Sequence, residues 1–214
     1  AYEVSSAGIS QVDNDGDGLP DPVWKVSNRV PATRNILTWG STTGTTFPTA
    51  TQRALLERTT GLAPVTAANN EAYIKGTRSL EKANGGTLRD RDSVLGDIIN
   101  SSPIYSSDNR VLFVGANDGM LHALKLGKFE QIVSNVNPER KAQLTGESLG
   151  TEEWAFIPRH SLPYLKYLTD PRYCHLYYLD LPPSLVDASI GSSSDGATTV
   201  KTSGSWRTVL VGGM

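Results

Sequence analysis

Residues 110–126 constrain the fold of this chain more than any other stretch of it. Two apolar runs, at 110–115 and 120–126, flank the short sequence Asn117-Asp118-Gly119. These three residue types accept the positive φ angles of tight turns, so the pattern predicts a β-hairpin. An antiparallel sheet is therefore expected at the centre of the second half.

Four further runs in the second half have the same β-prone character. Each is rich in apolar or β-branched residues and is bounded by Gly, Pro, Asn or Asp, and they cover 94–103, 153–158, 174–180 and 208–211. Strands are predicted for all four. The gap before the run at 153–158 is longer than a hairpin loop, which predicts an insertion with a short helix near 138–144.

The first half and the remaining segments are more mixed. Short β-prone runs at 23–26 and 35–39 predict a small strand pair, followed by a Gly/Thr loop at 40–48. A helix is predicted at 52–58 with Thr49 or Thr51 as N-cap, prolonged by 63–70. Further helices are predicted at 72–83, with a stop at Asn84-Gly85-Gly86, and at 158–169, with Leu162, Leu165 and Leu168 on one face. A loop is predicted at 188–205. The domain prediction is a lead-in over 1–48, a helical connector over 49–92 and a β domain over 93–214.

Composition excludes several classes of function. With 20 basic and 22 acidic residues, the chain has no electrostatic footprint for nucleic acid. No segment approaches the eighteen or more apolar residues of a membrane helix. The single cysteine, Cys174, is expected to be a buried thiol, or else half of a bridge to residues outside this sequence. The sequence begins without Met and ends on a β-prone run, which suggests a piece of something longer.

The run from Asp13 to Asp21 predicts a calcium site. Calcium loops place Asp or Asn at alternate positions and Gly at the sixth, and here the first, third, fifth and sixth positions are Asp13, Asp15, Asp17 and Gly18. Leu19, at position seven, is predicted to bind calcium through its backbone carbonyl, and Asp21, at position nine, is predicted to be the last ligand. Position twelve is Trp24 and not the Glu of an EF-hand, so a shortened extracellular type of loop is expected. The alternative is a solvated acidic turn.

No catalytic motif is found, and no enzymatic activity is predicted. His122 lies among apolar neighbours and is expected to be a hydrogen-bonded core residue, whereas His175 follows Cys174 without the second cysteine of a haem or zinc motif. Glu152 and Glu153 are interpreted as a solvated edge. The sequence Arg89-Asp90-Arg91-Asp92 is expected to form pairs of small energetic value, and interior aromatic residues are predicted at Trp154, Phe156 and Trp206.

Several phrases, taken in order, resemble one known family. They are L-G-D-I-I-N-S-S-P at 95–103, V-G-A-N-D-G-M-L-H-A at 114–123, E-W-A-F-I-P-R at 153–159, L-K-Y-L at 165–168, Y-C-H at 173–175 and S-W-R-T-V-L-V-G-G at 205–213. Together they are similar to the opening of the C-terminal propeller in the PilC/PilY family of type IV pilus tip-associated proteins. The expected fold class is mainly β. The resemblance implies one to two blades of a quinoprotein-like β-propeller with a short helical lead-in, and the N-terminal calcium loop is added from residues 13–21 alone.

The resemblance also implies a function. It suggests an extracellular, pilus-associated protein of pilus biogenesis and adhesion, with minor pilins or other filament subunits as partners and a host or surface ligand. Two alternatives remain open: a structural subunit that decorates or completes a larger filament, and a fragment of a quinoprotein dehydrogenase. The dehydrogenase would need an adjacent-cysteine disulfide, which one cysteine cannot form.

Overall fold

A six-stranded sheet is the centre of the fold. The structure is a computed structural model that describes residues 4–5, 8–9, 26, 29–59, 64–131, 142–190 and 202–213. The strands are β1 (Val4–Ser5), β2 (Gly8–Ile9), β3 (Ile36–Trp39), β4 (Gly44–Thr46), β5 (Ile104–Ser106), β6 (Val111–Gly115), β7 (Leu121–Lys125), β8 (Lys128–Gln131), β9 (Ala142–Thr145), β10 (Glu152–Ile157), β11 (Ser184–Ser189) and β12 (Trp206–Val211). The order in the large sheet is β4-β3-β10-β7-β6-β5.

Strands β5, β6, β7 and β10 form an antiparallel meander. The hairpin prediction is confirmed, since β6 and β7 pair along their whole length with Val114 opposite His122. The turn differs in one detail: among its residues only Gly119 has a positive φ, of 88°. Asn117 and Asp118 do not adopt the left-handed conformation expected for them. Their side chains instead bind neighbouring backbone groups.

Strand β3 extends this meander on its far side. It pairs in parallel with β10, with Ile36 opposite Ala155, and it pairs antiparallel with β4. The strand predicted at 35–39 is therefore confirmed. The loop predicted at 40–48 is wrong for residues 44–46, because the backbone of β4 finds partners along the free edge of β3. The other strand of the predicted pair, at 23–26, lies outside the described residues except for Val26.

Three two-stranded sheets complete the β structure: β1 with β2, β8 with β9, and β11 with β12. The helix predicted near 138–144 is wrong for residues 142–144, which belong to β9 and pair with β8, while 138–141 lie outside the described residues. The strand at 208–211 is confirmed as part of β12. The loop prediction is wrong at 188–189, which belong to β11 and pair with Arg207 and Trp206, and 191–201 lie outside the described residues.

The helices are short. Helix α1 (Ala50–Arg53) begins with a capping box in which Thr49 and Gln52 exchange hydrogen bonds, which confirms Thr49 as N-cap. A 3₁₀ turn continues it to Leu56, and α2 (Ala67–Ile74) follows with Thr66 as its N-cap. The predicted helices at 52–58, 63–70 and 72–83 are thus displaced or too long. Part of the reason is that residues 58 and 65 bond to each other as a β-bridge.

The strands predicted at 94–103 and 174–180 are wrong, because side chains accept hydrogen bonds from backbone N–H groups of both segments. In the segment 94–103, the N–H groups of Gly96 and Asn100 donate to the carboxylates of Asp118 and Asp180. In the segment 174–180, the N–H of Tyr178 donates to the Asn117 side chain. Neither segment is then free to pair with a neighbouring strand.

The main core lies between one face of the sheet and the helices. Successive strand residues point to opposite faces, so Ile36, Ala155 and Ile157 face this core. Leu162, Leu165 and Leu168 of a 3₁₀ helix (Leu162–Thr169) join them, all buried as predicted. Their spacing of three residues matches the three-residue turn of a 3₁₀ helix.

A smaller cluster lies on the opposite face of the sheet. It contains Val111, Phe113 and Ala123, and Trp154 packs on it with its ring centroid 5.7 Å from that of Phe113. Trp206, which was expected in a core between neighbouring sheets, is half exposed in this chain. Within the described residues, no helix is long and apolar enough to cross a bilayer.

Candidate functional site

A cluster of four charged side chains, three of them buried and the fourth 12% exposed, lies where β3, β7 and β10 meet. Arg34, two residues before β3, and Glu152, at the start of β10, form a two-pronged pair. The Nε and Nη2 atoms of Arg34 donate to Oε1 and Oε2 of Glu152, both at 2.7 Å. The two side chains are 0% and 1% exposed. Such a fork-to-fork geometry is the strongest form of an arginine–carboxylate interaction.

His122 connects this pair to Asp118 in the hairpin turn. Its Nδ1 lies 2.8 Å from Glu152 Oε2, and its Nε2 lies 3.2 Å from Asp118 Oδ1. Because both ring nitrogens face carboxylates, both donate and the ring carries a positive charge. His122 is fully buried, so the core position predicted for it is confirmed.

Each charge shifts the pKa of its partners. Burial opposes ionisation, but the Asp118 and Glu152 carboxylates outweigh it and raise the pKa of His122 to about 9. Burial likewise opposes the charge of Glu152, yet Arg34 and His122 lower its pKa to about 2. The pKa of Asp118 is also lowered, since His122 and the Gly96 N–H outweigh burial. All four groups are therefore ionised at neutral pH.

This cluster is arranged to hold the fold together and not to transfer protons. Two cations and two anions give the cluster a net charge of zero. The ring nitrogens of His122 are both bonded to carboxylates, and the oxygens of Asp118 accept from His122 and from two backbone N–H groups. A general acid or base needs a pKa near the working pH and reach to a substrate. The cluster instead ties three strands and a turn to one point.

The solvated edge predicted for Glu152 and Glu153 is thus wrong for Glu152. A β-bulge lies in the β7–β10 pairing between Glu152 and Trp154. Bulges change the direction of side chains, and this one explains how Glu152 turns inward while Glu153 stays exposed. The sequence gives no periodic signal for a bulge.

A second buried charge lies beneath the segment 89–92. Glu81 is fully buried, and its carboxylate accepts hydrogen bonds from Arg78 and from Arg91 at 3.0 and 2.8 Å. The Arg91 guanidinium also lies 3.6 Å from the centroid of the Tyr73 ring. Of the two kinds of pair expected for the segment 89–92, solvent-exposed or within the domain, Arg91 forms the second, since its partner is buried and its own side chain is only 8% exposed.

The remaining sequence-predicted sites are not brought together. Asp13, Asp15, Asp17, Leu19 and Asp21 lie outside the described residues. In the parts of the chain that the structure does describe, no group of three or more His, Cys, Asp and Glu side chains is placed to hold a metal ion. Cys174 is a free, exposed thiol, which corrects the expectation of a buried one. His175 pairs with Asp97 at 2.7 Å.

Three members of the central cluster were missed by reasoning from sequence. Arg34 and Glu152 are 118 residues apart, and no local pattern joins them. Asp118 was assigned to turn formation alone. The usable signal was His122 itself, since a polar residue within an apolar strand requires a partner.

Known proteins resemble much of this chain. A type IV pilus biogenesis factor PilY1 homolog of Xylella fastidiosa (strain Temecula1) is 32% identical over 167 residues, which cover 65% of this chain and 11% of that protein. The type IV pilus biogenesis factor PilY1 of Pseudomonas aeruginosa (strain PAK) is 31% identical over 173 residues, 67% of this chain and 12% of that protein. The chain is related to the PilY1 family.

The relationship extends over most of the chain. PilY1 of Pseudomonas aeruginosa (strain UCBPP-PA14) is 27% identical over 230 residues, covering 87% of this chain and 16% of that protein. The chain therefore spans between about a tenth and a sixth of the length of these PilY1 relatives. No family model matches it, and no solved structure does. The resemblance expected from the sequence phrases is confirmed.

Proposed function

We propose that this chain is part of an extracellular, type IV pilus-associated protein that acts in pilus biogenesis and in surface or host adhesion. The observation that carries the proposal is its relationship to proteins named type IV pilus biogenesis factor PilY1. Its partners would be minor pilins or other filament subunits. The role is non-enzymatic, which agrees with the saturated hydrogen bonds of the buried histidine cluster.

We further propose that the chain opens a β-propeller. A propeller blade is a four-stranded antiparallel sheet, and β5, β6, β7 and β10 have that strand order. The β11–β12 pair would begin the next blade. Three large apolar or aromatic residues of this pair and one beside it are about half exposed or more, as expected of a surface that another blade covers: Val186, Trp206, Val211 and Ile190.

Calcium belongs to this proposal as an ordering element. The carboxylates of Asp13, Asp15, Asp17 and Asp21, with the backbone carbonyl of Leu19, have the donor chemistry of a calcium loop. Extracellular loops of this kind bind calcium with dissociation constants of roughly 10⁻⁴ to 10⁻³ M. External calcium would then order the N-terminal segment.

A structural subunit that completes a larger filament is the second candidate. The exposed apolar side chains on β11 and β12 favour it as much as they favour a neighbouring blade. The two candidates differ in which polypeptide covers these side chains. In a propeller it is a later part of the same polypeptide, and in a structural subunit it is a different polypeptide of the filament. A quinoprotein dehydrogenase is disfavoured by the single cysteine in this stretch.

The test is made in the producing bacterium with the full-length protein, carrying an epitope tag. Filaments are sheared from the cells and probed for the tagged protein, and surface pili are counted by electron microscopy. Glu152→Gln removes the countercharge of Arg34 and His122, and Glu153→Gln, at the exposed neighbouring position, is its matched control.

The unmodified protein and Glu153→Gln are expected in the filament fraction with normal piliation, whereas Glu152→Gln is expected to lose both. Absence of the unmodified protein from filaments, with full piliation after its deletion, would contradict the pilus proposal. A tagged polypeptide as short as this chain that copurifies with another subunit would favour the second candidate.

A further inference from the structure

A cavity of about 470 Å³ lies between the loop 89–97 and the turn of the β6–β7 hairpin. Its apolar wall includes Ile74, Met120 and Leu168, and the aromatic residues Tyr73 and Tyr173 also line it. Binding sites for small molecules have volumes of roughly 300–1,000 Å³, with mostly apolar walls and a few polar groups that fix orientation. The volume of this cavity fits that description, while its wall is more polar, since two arginines and four aspartates also line it.

Two buried polar groups of the cavity wall lack partners. Tyr73 is 2% exposed, and its hydroxyl has no hydrogen-bond partner among the described residues. The side-chain nitrogen of Asn117, 3% exposed, is the second. This amide does contribute to the lowered pKa of Asp180, but no acceptor meets it with hydrogen-bond geometry. Buried donors normally have an acceptor, so the Tyr73 hydroxyl indicates a missing one, whereas the Asn117 amide faces the Asp180 carboxylate.

The two arginines of the cavity differ in their free donors. Arg91 is fully engaged: it donates to Glu81, to the Tyr73 carbonyl and to the Thr77 carbonyl. Arg89 donates only its Nε, to the Leu168 carbonyl at 2.8 Å, while its guanidinium lies 4.8 Å from the centroid of the Tyr173 ring. In the described part of the chain Arg89 has no carboxylate partner. Its two terminal nitrogens make no hydrogen bond of normal geometry among the described residues, although Arg89 lies near enough to the Tyr73 hydroxyl to lower the pKa of that phenol.

Arg89 also lies close to the unpaired hydroxyl. Burial raises the pKa of Tyr73, and the positive charges of Arg91 and Arg89 oppose that rise. A negatively charged acceptor would therefore meet a guanidinium and a phenol donor at one place in the cavity.

The acidic residues of the wall do not supply that acceptor. Asp118 is held by Gly96, Met120 and His122, and Asp97 is paired with His175. Asp90 accepts from the Ala83 N–H, and both Asp90 and Asp92 are exposed at the rim. The groups left unpaired inside are donors.

We propose that this cavity binds a small organic carboxylate with an aromatic or aliphatic body. Arg89 and the Tyr73 hydroxyl bind the carboxylate, as guanidinium groups commonly do in two-pronged fashion. The body of the ligand packs on Met120 and Leu168.

The experiment uses the 214-residue chain and phenylacetate as probe, with phenylacetamide as the uncharged analogue of the same shape. Saturation-transfer NMR and a titration give the two dissociation constants. Saturable binding of phenylacetate at or below about 1 mM, and at least tenfold weaker binding of the amide, are expected. No saturation at about 10 mM, or equal binding of acid and amide, would overturn the proposal.

Variants separate binding from folding. Tyr73→Phe removes a hydroxyl without a protein partner and keeps the ring under Arg91, so the melting temperature is expected to be unchanged while phenylacetate binds roughly tenfold more weakly. Arg89→Ala is expected to weaken binding at least tenfold, and Arg159→Ala, at an exposed position outside the cavity, is its control. Unchanged binding in folded Tyr73→Phe and Arg89→Ala would also overturn the proposal.

Discussion

Glu152 holds both cations of the central cluster at once. Its Oε2 lies 2.7 Å from Arg34 and 2.8 Å from His122, and its side chain is 1% exposed. Because solvent does not reach this position, water cannot take over the role of the Glu152 carboxylate as hydrogen-bond acceptor for Arg34 and His122. Removing the charge of Glu152 leaves two buried cations with one remaining anion, Asp118. Of these two cations, Asp118 is hydrogen-bonded to His122 and not to Arg34.

Glu152→Gln is therefore expected to lower the free energy of unfolding by about 3–5 kcal/mol, the usual cost of breaking one partner of a buried ion pair. Glu153→Gln, at the exposed neighbouring position, is expected to change it by less than about 0.5 kcal/mol. Urea denaturation followed by circular dichroism measures both. Equal effects of the two substitutions would contradict the burial of Glu152.

The pKa of His122 predicts a loss of stability in alkali. The folded pKa of about 9 lies above the unfolded value of 6.5, so protonated His122 stabilises the fold fully below about pH 6.5. This contribution, on the order of 3 kcal/mol, is lost as the pH rises through 9. Denaturation at pH 5.5, 7.5 and 9.5 tests it. The stability difference between the wild type and His122→Gln should narrow with rising pH, while exposed His160→Gln should follow the wild type throughout.

Glu152 sets the opposite limit in acid. Its folded pKa of about 2 lies below the unfolded value of 4.5, so its contribution is complete above about pH 4.5 and is lost as the pH falls towards 2. The two groups together predict greatest stability between about pH 4.5 and 6.5. A stability profile without decline on the acid side in wild type would contradict the assignment.

Among the helices and strands, the sequence predicted those whose turn or cap is encoded by residues close to each other in the chain. The β6–β7 hairpin, β10, β12 and the Thr49 cap were all predicted from such signals. The segments 94–103 and 174–180 were not, because distant side chains take the hydrogen bonds that a strand would otherwise make. The three-residue β4 has no apolar run and the six-residue β11 has only Leu185 and Val186, so pairing with β3 and β12 is what makes them strands.

The hairpin turn depends on Gly119. Its φ is 88°, and a Cβ atom there would lie 2.4 Å from Leu165 Cδ2. Gly119→Ala is expected to destabilise the fold by about 1–3 kcal/mol through backbone strain alone, and by more through the contact. Thermal unfolding measures this.

Gly44→Ala is the control for that substitution. Its φ is not positive, and the added Cβ would meet nothing nearer than the Thr38 carbonyl at 4.0 Å. A change of less than about 1 kcal/mol is expected. A larger loss at residue 44 than at residue 119 would contradict the turn geometry.

For the whole molecule, the sequence predicted the β class and the family, while the buried charged cluster joins residues too distant for any local pattern. The PilY1 relatives that it matches are many times its length. The calcium loop is one property that the chain can be tested for by itself.

Calcium is expected to raise the melting temperature of the chain. With a dissociation constant of roughly 10⁻⁴ to 10⁻³ M, 10 mM calcium adds about 1.4–2.7 kcal/mol, which corresponds to a few degrees in a chain of this size. Scanning calorimetry with calcium or with excess chelator measures the shift. Asp15→Asn with Asp17→Asn should abolish the shift, and Asp108→Asn, an exposed acidic residue elsewhere, should keep it. An unchanged melt in chelator would reject the site.

The parallel pairing of β3 with β10 also sets an order of events during synthesis. Arg34 leaves the ribosome 118 residues before Glu152. At about 5–20 residues per second, that interval lasts roughly 6–24 s. Throughout it, the strand that follows Arg34 has no partner on its inner edge, and the guanidinium has no countercharge to accompany it into the interior. A nascent chain arrested before Glu152 would therefore expose the β3 edge to chaperones or to other chains, and the sheet could close only once the message had been read through that codon.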